Sequence, residues 1–271
     1  MTAIAAAAAV TPREDVLTVA GCRTLVLRGG EGPPLLYIHG AGGGGVWQPW
    51  MNRLARHRTI IAPEMPGFGR TDTPEWFETI HDVAYFVLDL MEQLDLGGAQ
   101  VVGSSLGGWI AAEAAVRSTE RMAGLTLIGP SGLHVRGVPK PDIFLWTPEE
   151  MTRAMFHDQR LAEAVLGQPA TEEAIDRQLK NRFAAARLMW APRGFDPHLE
   201  KWLHRIRIPS LVVWGAQDQV LPAGPYSERW GALLPRARVR VIEACGHVPQ
   251  VEQADAFCDI LESFIAGSTE A

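Results

Sequence analysis

The feature that most constrains this chain is the spacing Gly103, Ser105, Gly107, a G-x-S-x-G pattern set between an apolar run and a helical one. Val101 and Val102 read as a buried strand, and Ile110, Ala111, Ala114 and Ala115 follow at helical spacing. Strand, sharp turn and helix are the setting in which such a motif presents a nucleophile. The two glycines leave room where strand and helix meet. Ser105 is then expected at the tip of the turn, beside a helix N-terminus whose unpaired N–H groups favour developing negative charge. So short a motif also matches by chance as a plain Ser/Gly turn, so the rest of the chain has to decide.

A chain of 271 residues, 47% hydrophobic and 21% charged, fits one large α/β domain with room for an insertion. The net charge of −6 argues against nucleic acid as a partner. No apolar run is long enough to span a membrane. The alanine-rich start lacks a basic flank and reads as a ragged leader, with a poor signal peptide as the alternative. Cys22, Cys245 and Cys258 are odd in number and scattered, so neither a disulfide framework nor a metal site is expected, and the cytoplasm is the default location. A monomer or homodimer acting on a small molecule, without a cofactor or metal, is the expectation.

Taken in order, residues 15–21 and 23–28 form two alternating runs expected to pair as a hairpin. Leu35, Leu36, Tyr37 and Ile38 predict a central strand buried on both faces. It runs into His39, Gly40, Ala41 and the glycines 42–45. A phosphate cradle would want a lysine or an ordered G-x-G-x-x-G, and neither is present. The better reading is a loop whose backbone N–H groups approach a reacting carbonyl, with His39 holding it by hydrogen bonds. A short helix is expected near 47–55, a strand at 58–63 and an amphipathic helix at 79–94. Leu125 to Ile128 is a further strand.

From 133 to about 207 the texture is helical, aromatic and broken by prolines. Helix starts are read at Thr147 and Thr171. Strand texture returns at 208–215 and 238–243, and a closing helix is expected over 252–265. The expected division is therefore a core of 1–132 and 208–271 with a helical insertion at 133–207. Among its aromatic residues, Phe144, Trp146 and Trp190 are candidates for a pocket roof, with Trp47, Ser104 and Val248 as further candidate pocket residues. Ser104 either touches substrate or only fills the turn.

Alternating strands and helices argue for a mostly parallel sheet covered on both faces, with the ligand site beyond the carboxyl ends of its strands. Ser105, Asp218 and His247 each fall just after an expected strand. A serine hydroxyl needs a base to take its proton, a histidine has the right pKa range, and an aspartate fixes the tautomer. The N–H groups of Leu106 and of Ala41 or Gly42 are the candidate oxyanion donors. The remaining histidines read as structural, and Glu252 as a solvated or helix-start residue.

Together, His39-Gly40, Pro66-Gly67-Phe68-Gly69, the Ser105 turn, Trp214 to Asp218 and Gly246-His247 resemble the α/β-hydrolase superfamily over about residues 15–266. The resemblance implies an eight-stranded sheet with an antiparallel second strand and a helical cap inserted after the sixth strand. Within the family the chain is similar to esterases and carbon–carbon bond hydrolases. Ser105 sets it apart from haloalkane dehalogenases and epoxide hydrolases, which carry aspartate there, and residues 40–45 lack the proline usual in proline iminopeptidases. Ser104 and Val248 stand where meta-cleavage-product hydrolases usually carry asparagine and tryptophan.

The expected function is hydrolysis of a small to medium, largely apolar ester or related acyl compound through an acyl-enzyme at Ser105. Cleavage of an activated C–C bond in a diketone is the alternative. A lyase, an acyltransferase or a ligand-binding protein on the same scaffold are the further alternatives.

Overall fold

The runs rich in Val, Leu and Ile become the strands of one eight-stranded sheet. In the computed structural model, which describes residues 10–269, these are β1 (Arg13–Val19), β2 (Cys22–Gly29), β3 (Pro34–Ile38), β4 (Thr59–Pro63), β5 (Ala99–Ser104), β6 (Met122–Ile128), β7 (Ser210–Gly215) and β8 (Ala237–Ile242). Their spatial order is β1-β2-β4-β3-β5-β6-β7-β8. β2 runs antiparallel to β1 and β4, and the other pairings are parallel. The expected α/β-hydrolase architecture is the one observed. The expected alanine leader lies outside the described residues.

Strand alternation divides the core between the two faces. Leu36, Ile38, Val101 and Val212 pack on one face with α2 (Ile80–Gln93), α3 (Leu106–Arg117) and α7 (Ala223–Leu233). Leu35, Tyr37, Val102 and Val213 pack on the other with α1 (Pro49–Leu54) and α9 (Ala254–Thr269). Burying a side chain of this size contributes about 1.5–3 kcal/mol relative to leaving it exposed. α2 begins as its sequence suggests: Thr79 accepts from the Asp82 N–H, while Asp82 accepts from the Thr79 N–H at 2.7 Å.

Between β6 and β7 lie α4 (Pro148–Met155), α5 (Gln159–Leu166) and α6 (Glu172–Met189). Thr147 caps α4 and Thr171 caps α6. This segment adds Ala154, Ala184, Leu188 and Met189 to the apolar cluster of the first face. Two expectations differ in detail. α7 falls in a stretch the sequence reading left without a helix, although Tyr226 and Trp230, one turn apart, form its buried face. The closing helix is split into α8 (Pro249–Glu252) and α9, because Gln253 leaves helical geometry at φ −125° and ψ 53°.

A tight backbone constraint sits where β5 meets α3. A Cβ on Gly107 would lie 2.1 Å from the Ile38 carbonyl oxygen, and one on Gly103 would lie 2.3 Å from the Gly107 carbonyl oxygen. Gly107→Ala is therefore expected to destabilise the protein by on the order of 4 kcal/mol. A lowered urea midpoint would register this. Gly97→Ala, where a Cβ would meet nothing within 4 Å, is the control and should leave the midpoint near that of the parent. Equal midpoints for both variants would contradict the close contact.

Candidate functional site

The turn after β5 holds Ser105 at φ 53° and ψ −114°, a conformation few non-glycine residues adopt. The strain is held by the surrounding backbone. The Ser105 N–H donates to the Ile128 carbonyl at 2.8 Å, and the Ser105 carbonyl accepts from the N–H groups of Trp109 and Ser131. Leu106 opens α3, so its N–H is among the first-turn donors that a helix leaves unpaired.

The loop after β3 passes over the same turn. A Cβ on Gly40 would lie 3.4 Å from the Ser105 Cβ, so Ala41 and Gly42 follow from a point already in contact with the serine. His39 is the anchor beneath them. Its Nδ1–H donates to the Gly40 carbonyl at 2.8 Å, and its Nε2 accepts from the Met65 N–H at 2.9 Å. Burial pushes its pKa down to about 4, against the hydrogen bond to Gly40, so the ring is neutral.

Asp218 and His247 meet at the same sheet edge, beyond β7 and β8. The His247 Nδ1 and the Asp218 Oδ2 are 2.7 Å apart and both side chains are buried. The other oxygen, Oδ1, accepts from the N–H groups of Val220 and Leu221 at 2.8 and 2.9 Å. Two backbone hydrogen bonds thus orient the carboxylate and leave its other oxygen for the ring. The β6 end closes in from the other side: a Cβ on Gly129 would sit 3.3 Å from the His247 ring. Chemically, this arrangement can take a proton from a hydroxyl at the turn and support the imidazolium that results.

A cavity of about 220 Å³ opens over Ser105. Its walls include Ser131, Lys140, Phe144, Met189, Arg193, Val220 and Leu221. Phe144 is where the sequence reading put it, but the other five candidate pocket residues are not on these walls. Trp47 packs over Gly29 on the opposite sheet face and donates to Asn52 at 2.9 Å. Ser104 accepts from Gln250 at 3.1 Å and hydrogen-bonds with Tyr37, whose hydroxyl burial pushes up to about 12. It belongs to the buried strand end, since consecutive residues alternate faces. Val248 packs with Phe156 and Ala162 beneath α4 and α5. Trp146 packs on the first core face, and its carbonyl accepts from Arg182. Trp190 stands outside Phe144, edge-on at 5.5 Å and 54% exposed.

Several polar residues not singled out from sequence hold the site together. Asn181 of α6, 6% exposed, donates to the Gly42 carbonyl at 2.7 Å and accepts from the Gly69 N–H at 2.8 Å. Glu64 is buried and accepts from the Arg70 N–H at 2.8 Å. Glu252 is neither solvated nor a helix start. It ends α8 and accepts from the N–H groups of Gly246 and Asp158 at 2.5 and 2.6 Å. The signal for Asn181 was present, a polar residue on the helical face shared with Ala184, Ala185 and Leu188.

Among the described residues, His81, Glu113 and Asp196 place ligand-type atoms within 4.8 Å of one another. Arg117 already supplies the cation there, at 2.7 Å from both Glu113 Oε2 and His81 Nδ1.

Sheet topology, strained serine turn and buried His–Asp pair define the class of protein. The chain belongs to the α/β-hydrolase fold family, whose model matches residues 33–254. A 2-hydroxymuconate semialdehyde hydrolase of Pseudomonas sp. strain CF600 is 30% identical over 268 residues, covering 94% of each chain. A meta-cleavage product hydrolase of Pseudomonas fluorescens IP01 has a similar structure, with a TM-score of 0.73, 26% identity, and 94% of this chain and 98% of that one covered. A membrane phospholipase A, described as a bacterial virulence factor, has a TM-score of 0.78 at 26% identity, covering 96% of this chain and 87% of its own. Among the described residues, no helix is long and apolar enough to cross a membrane.

The buried neutral His39 makes stability depend on pH. Its folded pKa of about 4 lies below the ordinary 6.5, so within that window the unfolded chain binds a proton that the folded chain does not. Stability is full above pH 6.5 and falls as the pH drops toward 4. His39→Gln should flatten this slope in urea titrations run at several pH values. An unchanged slope would contradict the assignment.

Proposed function

We propose that the chain is a serine hydrolase whose substrate is an acidic, conjugated keto or aldehyde compound cleaved at a C–C bond. The observation that carries the hydrolytic reading is the convergence of the Ser105 turn, the His247–Asp218 pair and one cavity at a single sheet edge. The C–C bond is favoured over an ester by the relatives, whose names are those of a semialdehyde hydrolase and a meta-cleavage product hydrolase. This reverses the weight given from sequence, where the ester came first.

Ser105 adds to the carbonyl as His247 accepts its proton, and the N–H groups of Leu106 and Ala41 or Gly42 donate to the resulting oxyanion. Collapse breaks the C–C bond and expels an enolate, which conjugation stabilises and His247 protonates. Water then attacks the acyl-enzyme with His247 as base and releases the acid. Asp218 holds the Nδ1–H tautomer throughout. The inserted helices act as the cap over this chemistry. The small molecule enters alone, without a cofactor.

An ester substrate is the second reading. One observation favours it: Ser104 is committed to Gln250 and Tyr37, and Val248 lies in an apolar cluster, so neither offers a polar group to a keto acid beside the nucleophile. The test is loss of the absorbance of 2-hydroxymuconate semialdehyde, run beside hydrolysis of p-nitrophenyl butyrate. The semialdehyde is expected to be the better substrate by kcat/KM, and the reverse order selects the ester reading. Ser105→Ala should lower kcat by at least about a thousand-fold and Asp218→Asn by a comparable factor. Retained activity in Ser105→Ala would remove the serine mechanism.

A further inference from the structure

Helix α6 is apolar on two opposite sides. Its buried face carries Ala184, Ala185, Leu188 and Met189 around Asn181. Ile175, Leu179 and Phe183 follow one another at four-residue spacing on the other side, and Trp190 at the C-cap continues the stripe. All four are exposed, Phe183 at 75%. A surface helix ordinarily carries charged and polar residues there. Leu145, 80% exposed, is brought beside this stripe, because Arg182 of α6 donates to the Phe144 and Trp146 carbonyls on either side of it. Two segments remote in sequence thus build one exposed apolar patch, the kind of surface that marks an interaction site.

Its charge selects the occupant. The chain has a net charge of −6, yet the stretch 177–195 contains Arg177, Lys180, Arg182, Arg187 and Arg193 and no Asp or Glu. The acids of α6, Glu172, Glu173 and Asp176, sit near its start. Lys180 turns inward to the Gly69 and Thr71 carbonyls, and Arg193 lies over the Trp190 ring with Asp142 at 3.4 Å. Arg177, Arg182 and Arg187 are exposed, and none is ion-paired with a described acid. An apolar stripe flanked by cations and ending in a tryptophan is the composition of a helix lying in a lipid–water interface. A two-fold symmetric contact with a second copy would set these arginines against one another, whereas lipid phosphates neutralise them.

We propose that the outer face of α6, together with Leu145, docks on an anionic lipid surface, with the apolar side chains among the headgroups and Arg177 and Arg187 on the lipid phosphates. Trp190 packs edge-on against Phe144 of the cavity wall, so the docked face borders the cavity over Ser105. The inference goes beyond the hydrolase reading and stands without it, since it concerns only the outside of the insertion.

The test is co-sedimentation of the full chain with vesicles of phosphatidylcholine alone and of equal parts phosphatidylglycerol and phosphatidylcholine. The parent should partition onto the anionic vesicles at least about ten-fold more strongly at low salt, and high salt should weaken this. Leu179→Ser combined with Phe183→Ser should lower that partition by at least about ten-fold. Arg177→Ser and Arg187→Ser should each lower it by about five-fold. Val16→Ser, which changes an exposed apolar residue on β1, should leave it unchanged. No binding to either vesicle by the parent overturns the proposal. So does binding that the Leu179/Phe183 double variant retains, because the apolar face then takes no part. Sedimentation velocity identifies the rival occupant: a dimeric parent that the double variant makes monomeric, without vesicle binding, assigns this face to a second copy and removes the lipid.

Discussion

The structure depends on one close backbone approach, Gly107 against the Ile38 carbonyl. It lets α3 start directly under the end of β3, which forces the connecting residue into the strained conformation seen at Ser105. Such strain persists only when the surroundings over-determine it. Here the Ile128 carbonyl fixes the serine N–H, and the N–H groups of Trp109 and Ser131 fix its carbonyl. Three neighbouring parallel strands, β3, β5 and β6, therefore cooperate in one turn. Ser105 is placed by backbone, not by its own side chain.

A second set of contacts ties the inserted helices to the loops around Ser105 and His247. Asn181 joins α6 to both the Gly42 and the Gly69 loops. Lys180 adds bonds to the Gly69 and Thr71 carbonyls at 2.9 and 2.6 Å. The α4 end holds the histidine loop, since the His247 N–H donates to the Met155 carbonyl at 2.9 Å. Glu252 closes the same joint by taking N–H groups from Gly246 and Asp158. These ties are part-buried polar contacts whose loss leaves the remaining partner short of a hydrogen bond. The insertion is thereby bonded to both the Gly42 loop and the His247 loop.

This division explains what was legible in the sequence. Strands such as Leu35 to Ile38 are apolar on both faces and announce themselves, and Ser105, Asp218 and His247 each follow one. The Thr147 and Thr171 caps are local signals, and they hold. What was missed depends on long-range packing. Nothing local distinguishes Ser104, turned to Tyr37 and Gln250, from a substrate contact. Aromatic mass located the insertion but not the walls: Trp146 and Trp190 face elsewhere while Met189 and Phe144 line the cavity. Lys140 and Arg193 lie in proline-broken stretches that meet only after the segment folds back, 53 residues apart in sequence.

That last pair also shows which part of the chain shapes the cavity. Ser105, Asp218 and His247 each follow a strand of the sheet. The cations come from irregular segments flanking α4–α6, where a change of residue disturbs no strand pairing. Arg193 is held by the face of Trp190, a side chain 54% exposed, rather than by the core. Trp190 is thus not a pocket wall, as its aromatic character first suggested, but the support that keeps a guanidinium pointed at one. A site edge set by the sheet and cavity walls set by the insertion can change independently of each other, and the same fold is found in proteins named as a semialdehyde hydrolase and a phospholipase.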